Sequence, residues 1–180
     1  MGSAHSPNVD PAEFILRDLA PAFPDITFDL VGTVCEAIGR DPPRNIRLHG
    51  SVENEVKSEI LSKWSLALNP VEWGGGSSLK LPDYMAHGLA TLNTSSGARG
   101  VPVEEWDVGV VAERIDFQNR LADMLRDREC LERQSTNALR CAKTHLGWRT
   151  LTGAYRKRLR ELIVPPPARS PSSLLVVTYR

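Results

Sequence analysis

Apolar residues recur along this chain at helical spacing far more often than they alternate, and that pattern predicts a mostly α-helical protein. Ile15, Leu16 and Leu19 share one face of a helix over residues 10–20, with Asp10 as its cap, Pro11 at the first helical position and Pro21 and Pro24 as its stop. A second short helix is predicted over 28–38, where Leu30, Val31, Val34, Cys35 and Ile38 face inward and Gly39 ends the run. Arg44 to His49 reads as a brief extended piece. Val52, Val56, Ile60, Trp64 and Ala67 then recur every three or four residues behind Ser51, the strongest helical pattern of the first half. Tyr84, Met85, Leu89 and Leu92 mark another helix over 83–92.

No proline occurs between Pro102 and Pro165, and the apolar positions there keep helical spacing. Val103, Trp106, Val110, Phe117, Leu121 and Met124, then Leu131, Ala138, Ala142 and Leu146, predict two or three long helices with a break near 126–129. Gly147 ends that run, and Leu151, Tyr155, Leu159 and Leu162 share one face of a final helix. Pro165-Pro166-Pro167 closes the helical part, and a short Pro/Ser linker leads to a strand-like end.

The expected fold is a helical bundle with short N-terminal helices, long C-terminal helices and an extended C-terminal tail. Its division is a flexible arm over 1–9, a single helical domain over 10–163, and a linker with tail over 164–180. Within the domain, 10–100 holds short helices and glycine-rich loops and 101–163 the long helices. A length of 180 residues suits one ordinary domain. Trp73-Gly74-Gly75-Gly76-Ser77-Ser78 is expected to be a mobile surface loop, because Ser78-Leu79-Lys80 lacks the Lys-Ser/Thr pair that a phosphate-binding loop places after its glycines.

Charge changes this picture. The chain has 22 basic and 22 acidic residues, but residues 1–118 carry net −8 and residues 119–180 net +8. The basic part is rich in Arg, the side chain that pairs bidentately with phosphate. On the final helix Arg149, Arg156 and Arg160 fall on one face, with Lys157 at its edge. No aromatic ladder accompanies them, so the nucleic acid expected there is bound without regard to sequence. The leading expectation is therefore a non-enzymatic, coat- or nucleocapsid-like assembly protein that binds nucleic acid, RNA rather than DNA, through Arg149, Arg156, Lys157 and Arg160. Its copies would associate through complementary charge and through Leu174, Leu175, Val176, Val177 and Tyr179 of the tail. The alternatives are a helical interaction module or regulator that docks a protein partner through the basic face or tail, and an enzyme with a dispersed site.

Reactive residues add little to this. Cys141 and His145 stand one helical turn apart, but Cys130 lies about 16 Å further along a continuous helix, too far to complete a zinc site. His5, His49, His87 and His145 belong to no nucleophile or metal motif, so no metal, cofactor or catalytic residue is expected. Three cysteines without paired spacing exclude a disulfide framework, and no apolar run approaches a membrane span, which points to an intracellular, cytoplasmic protein. Met1 to Ser6 loosely fits a myristoylation signal, but Pro7 interrupts it and one acyl chain anchors only weakly, so N-myristoylation at Gly2 is not expected.

Overall fold

Five short strands form the centre of the molecule, four of them buried or half-buried along their length, as strands between two helical layers must be, while the remaining one, Ile46–Gly50, has Arg47 and Leu48 exposed. A computed structural model describes residues 1–4, 6–38, 41–76 and 78–163. β1 (Phe28–Val31) pairs with β2 (Ile46–Gly50), and β3 (Leu66–Asn69), β4 (Ala90–Asn93) and β5 (Gly109–Val111) form a second sheet in that order. Every pairing is parallel. A parallel partner cannot be reached by a tight turn, so the chain crosses back over the sheet between strands.

The helices that make or flank those crossings cover both faces. α1 (Ser6–Phe14) passes through one π-helical turn (Ile15–Leu19) into the short α2 (Ala20–Ala22). α3 (Asn54–Leu61) precedes β3, α4 (Lys80–Ala86) precedes β4, and α5 (Arg114–Arg126) and α6 (Arg128–Cys141) follow β5. A second π-helical turn (Ala142–Leu146) leads into α7 (Trp148–Leu162). On one face Leu16, Leu19, Phe117 and Leu121 pack with Phe28, Leu30, Ile46 and Leu92, and Leu66 and Leu68 join them. On the other, Leu61, Tyr84, Met85, Ala138 and Cys141 pack with Ala67 and Val108. The alternation Leu66, Ala67, Leu68 thus divides β3 between two cores. Because β1, β2, β3 and β4 all contribute to the first core, the two sheets lie in one layer.

Polar contacts hold α6 onto the turn before β5. Asp107 adopts φ +48°, and its carboxylate accepts bonds from Arg133 Nε at 2.8 Å and Asn137 Nδ2 at 3.1 Å. The Arg133 bond holds the Asp107 carboxyl below the usual carboxylate range. Asp127 separates α5 from α6 and caps α6 by accepting the Cys130 N–H at 2.9 Å.

The mostly α, helical-bundle expectation is therefore corrected to an α/β fold with parallel sheets. The helix expected over 28–38 is β1 followed by a 3₁₀ turn (Thr33–Ala37), since Gly32 at φ +109° breaks any helix there. The helix expected through Ala67 stops at Leu61, and Ala67 lies in β3. That expected over 83–92 stops at Ala86, Gly88 turns the chain at φ +68°, and Leu92 lies in β4. Val110 is in β5. A fully buried parallel strand has no alternation, and its apolar run matches a helical template as well as a strand one. The tail residues Leu174, Leu175, Val176, Val177 and Tyr179 lie outside the described residues.

Phe117 is fully buried and meets Phe14 edge to face at 5.9 Å, whereas Ile115, two residues before it, is 88% exposed. Urea unfolding of Phe117→Ala should show a loss of about 3–5 kcal/mol. Ile115→Ala should stay within about 0.5 kcal/mol of the parent.

Candidate functional site

The carboxyl ends of the strands lie along one edge. Residues 1–4 sit at the carboxyl end of β1, where Gly2 N donates to Val31 O at 2.9 Å. The loop after β3 reaches the same place, because Lys80 Nζ donates to Asn8 Oδ1 at 2.7 Å and Asn8 Nδ2 donates to Ser3 O at 3.2 Å. In a parallel α/β sheet this edge is where loops can vary without disturbing the core, and ligands bind there.

Two loops on this edge are tied into one surface. Asn69, the last residue of β3, is buried and donates through Nδ2 to Gly97 O at 2.8 Å and to Ser78 Oγ at 3.1 Å. Thr94, fully buried just after β4, donates through its hydroxyl to Val71 O and accepts the Gly97 N–H at 3.0 Å. Ser96 Oγ donates to Glu72 O at 2.7 Å, and Ser78 N donates to Arg99 O at 3.0 Å. A side chain at Gly97 would overlap the Asn69 carbonyl oxygen, so only glycine lets the second loop close on the first. Residues 70–76 and 94–100 are therefore a built surface: the glycine loop lies at the surface, as expected, and its base is laced on both sides.

The tip of that surface is glycine and positive charge. Gly74 and Gly76 have φ +150° and +68°, and Gly74 to Gly76 are exposed. Arg99 donates from Nε to Gly76 O at 3.0 Å, and its Nη2 would lie 3.1 Å from a Cβ placed on Gly74. Lys80 is half-buried against Asn8, and burial pushes its ammonium down to about 8. Among the described residues neither Lys80 nor Arg99 forms an ion pair, in contrast to Lys57, which meets Asp83 at 3.0 Å. Arg99 beside a backbone stripped of side chains, and Lys80 on the helix that follows, are two cations without carboxylate partners among the described residues, and such groups suit an anion.

Arg114 fixes this edge from the side. At the first turn of α5, its guanidinium donates to Pro70 O at 3.0 and 2.8 Å, pairs with Asp10 of α1, and stacks 4.8 Å over the Phe14 ring. One side chain thereby joins α1, the loop after β3 and α5.

The residues expected to bind nucleic acid lie elsewhere. Arg149, Arg156, Lys157 and Arg160 are all exposed on α7, and Arg156, Lys157 and Arg160 border a shallow depression with Gly153 and Glu161. Arg149 is not part of that depression. The opposite row of α7 is also open, with Tyr155 70% and Leu162 63% exposed. Cys141 is buried, while His145 stacks on Trp106 with ring centroids 4.9 Å apart. His49 Nε2 meets Asp29 Oδ1 at 2.6 Å. His5 lies outside the described residues. Among the described residues no helix is long and apolar enough to cross a membrane.

No family model and no curated protein matches the chain. Among solved structures, its fold is similar to that of WaaG, a glycosyltransferase involved in lipopolysaccharide biosynthesis, with TM-score 0.59 and 16% identity. The match covers 79% of this chain and 43% of that one, so the chain spans less than half the length of the WaaG chain. At this identity the likeness establishes the fold. It overturns the expectation of a non-enzymatic, coat-like, RNA-binding helical bundle, because the architecture is an α/β one shared with an enzyme.

Asn8, Asn69, Thr94, Lys80, Arg99 and Arg114 escaped the sequence reading. The signal available was a glycine run followed by Lys80, discounted because it did not match one particular phosphate-loop spacing. Lys80 should titrate near pH 8 in the folded protein, against about 10.4 for an ordinary lysine. Both states are protonated below pH 8, whereas between pH 8 and 10 only the unfolded chain keeps the proton. The Lys80 contribution to stability therefore rises with pH across that window. Nuclear magnetic resonance of the lysine side chains checks the titration, and Lys80→Met should remove it.

Proposed function

We propose that the chain is the donor-holding part of a glycosyltransferase, and that it grips the phosphate leaving group of an activated sugar between Lys80, Arg99 and the Gly74–Gly76 backbone. The observation that carries this reading is a pair of cations without carboxylate partners among the described residues, Arg99 on the glycine tip and Lys80 held by Asn8 at the same sheet edge. Its position at the carboxyl edge of a parallel sheet, in a fold similar to that of a glycosyltransferase, supports it.

The chemistry follows from charge. Transfer of a glycosyl group breaks the bond between the anomeric carbon and a phosphate oxygen, and the electron pair of that bond leaves with the phosphate. Negative charge therefore grows on the leaving group in the transition state, and fixed donors aimed at it lower the barrier. Arg99 offers a planar fork held by Gly76 O, and Lys80 a compact ammonium held by Asn8. The lacing of Asn69, Thr94 and Gly97 keeps both loops in place, so little ordering remains to be done when the donor arrives.

Titration calorimetry of the full chain with ADP, GDP and UDP tests this reading. At least one diphosphate should bind, and Lys80→Met and Arg99→Met should each weaken it about tenfold or more, a loss of about 1.4 kcal/mol. Affinity should fall as pH rises through about 8, where Lys80 loses its charge. Absence of binding by all three, or binding unchanged by both substitutions, contradicts the proposal.

A further inference from the structure

The layer of strands is interrupted in its middle. β1 is paired on one edge by β2 and β3 on one edge by β4, and their other edges face a cavity of about 500 Å³. Thr27, Phe28 and Leu30 line one side of it and Ser65, Leu66 and Leu68 the other. Ile15, Leu121 and Leu125 border it from the first core's side, and Trp64 and Tyr84 from the second's. The cavity therefore has the outline of one missing strand, bordered by these apolar side chains, while Asp25, Asp29, Arg47, His49 and Lys63 also line it.

Its direction and register can be read from Gly2. Gly2 N donates to Val31 O at 2.9 Å, and Val34 N donates to Gly2 O at 3.1 Å, so Gly2 sits against the free edge of β1 at its carboxyl end, with the first of these bonds placed as in a parallel pair. Phe28 N and Gly32 N bond towards β2, to Asn45 O at 2.8 Å and Gly50 O at 2.7 Å. By alternation, the amide and carbonyl of Asp29 and the amide of Val31 point into the slot. A strand that continues backwards from Gly2 would meet the Asp29 carbonyl and the Val31 amide two residues before Gly2 and the Asp29 amide four residues before it. Trp64 supplies an independent sign: its indole Nε1 is buried without an acceptor among the described residues, and Trp64 lines the slot. A buried donor without a partner is costly, and an acceptor entering the slot would relieve that cost.

We propose that this slot is a strand site, filled by an extended apolar segment of about five residues that leads into Met1 and runs parallel to β1 and β3. The sheet then becomes continuous in the order β2-β1-inserted strand-β3-β4-β5. An occupant buried on both faces must be apolar throughout, like other central parallel strands. At about 3.3 Å per residue, five residues span the four-residue strands on either side. The inserted strand also ends at the functional edge, where Asn8 bonds to Ser3 and accepts from Lys80, and so would steady Asn8.

The test compares the chain of residues 1–180 with two forms extended before Met1, one by Val-Ile-Leu-Phe-Val and one by Ser-Asn-Gln-Ser-Thr. The apolar extension should raise the unfolding midpoint by about 5 °C or more and slow hydrogen exchange at the Asp29 and Val31 amides at least 100-fold. The polar extension should do neither. Unchanged exchange in the apolar form overturns the proposal. So does strong protection of Asp29 and Val31 in the unextended chain that is lost on deleting residues 174–179, because the slot would then belong to the tail. These readouts need no ligand, so they stand apart from the glycosyltransferase proposal.

Discussion

Parallel pairing is the constraint from which the rest of this structure follows. Strands that all run one way need crossovers between them, crossovers put helices on both faces, and both faces then demand apolar residues. Leu66, Ala67 and Leu68 show the result in three consecutive positions, divided between two cores. The same constraint gathers every loop that follows a strand onto one edge. There the buried Asn69 and Thr94 replace strand ladders as the source of order, binding the two loops through Gly97, Ser78 and Val71.

Much of the helical layer was legible in the chain. Phe117, Leu121 and Met124 repeat on one face of α5, and the expected break near 126–129 falls at Asp127. Of the strands, β2 was foreshadowed by the extended piece expected over Arg44 to His49, whereas β1, β3 and β4 were not legible, because they are four residues long and their runs, such as Phe28 to Val31, have no period to read. Gly32 and Gly88 were the cues that should have ended the two misread helices, since each turns the chain at positive φ. The division of charge between the two parts of the chain was real, and some of it is matched internally: Arg133 from the basic part holds Asp107 of the acidic part.

The candidate site was partly legible. Its glycine run stood out, but the fitness of that run depends on Arg99, 23 residues after Gly76, and Asn8, 72 residues before Lys80, which no local pattern links. By contrast, the Arg stripe on α7 was conspicuous in sequence because its spacing is local. The structure places it on an exposed helix, away from the laced loops. A buried interaction at the edge of a sheet is assembled from distant residues, whereas a charged helical face is visible from four.

The central claim is that the laced edge between β3 and β4 receives an anionic ligand. Mapping amide chemical shifts of the full chain during titration with a nucleoside diphosphate tests it most directly. The largest changes are expected at Trp73 to Gly76, Lys80, Gly97 and Arg99. Changes centred on Arg156, Lys157 and Arg160 of α7, with none in the two loops, would contradict it.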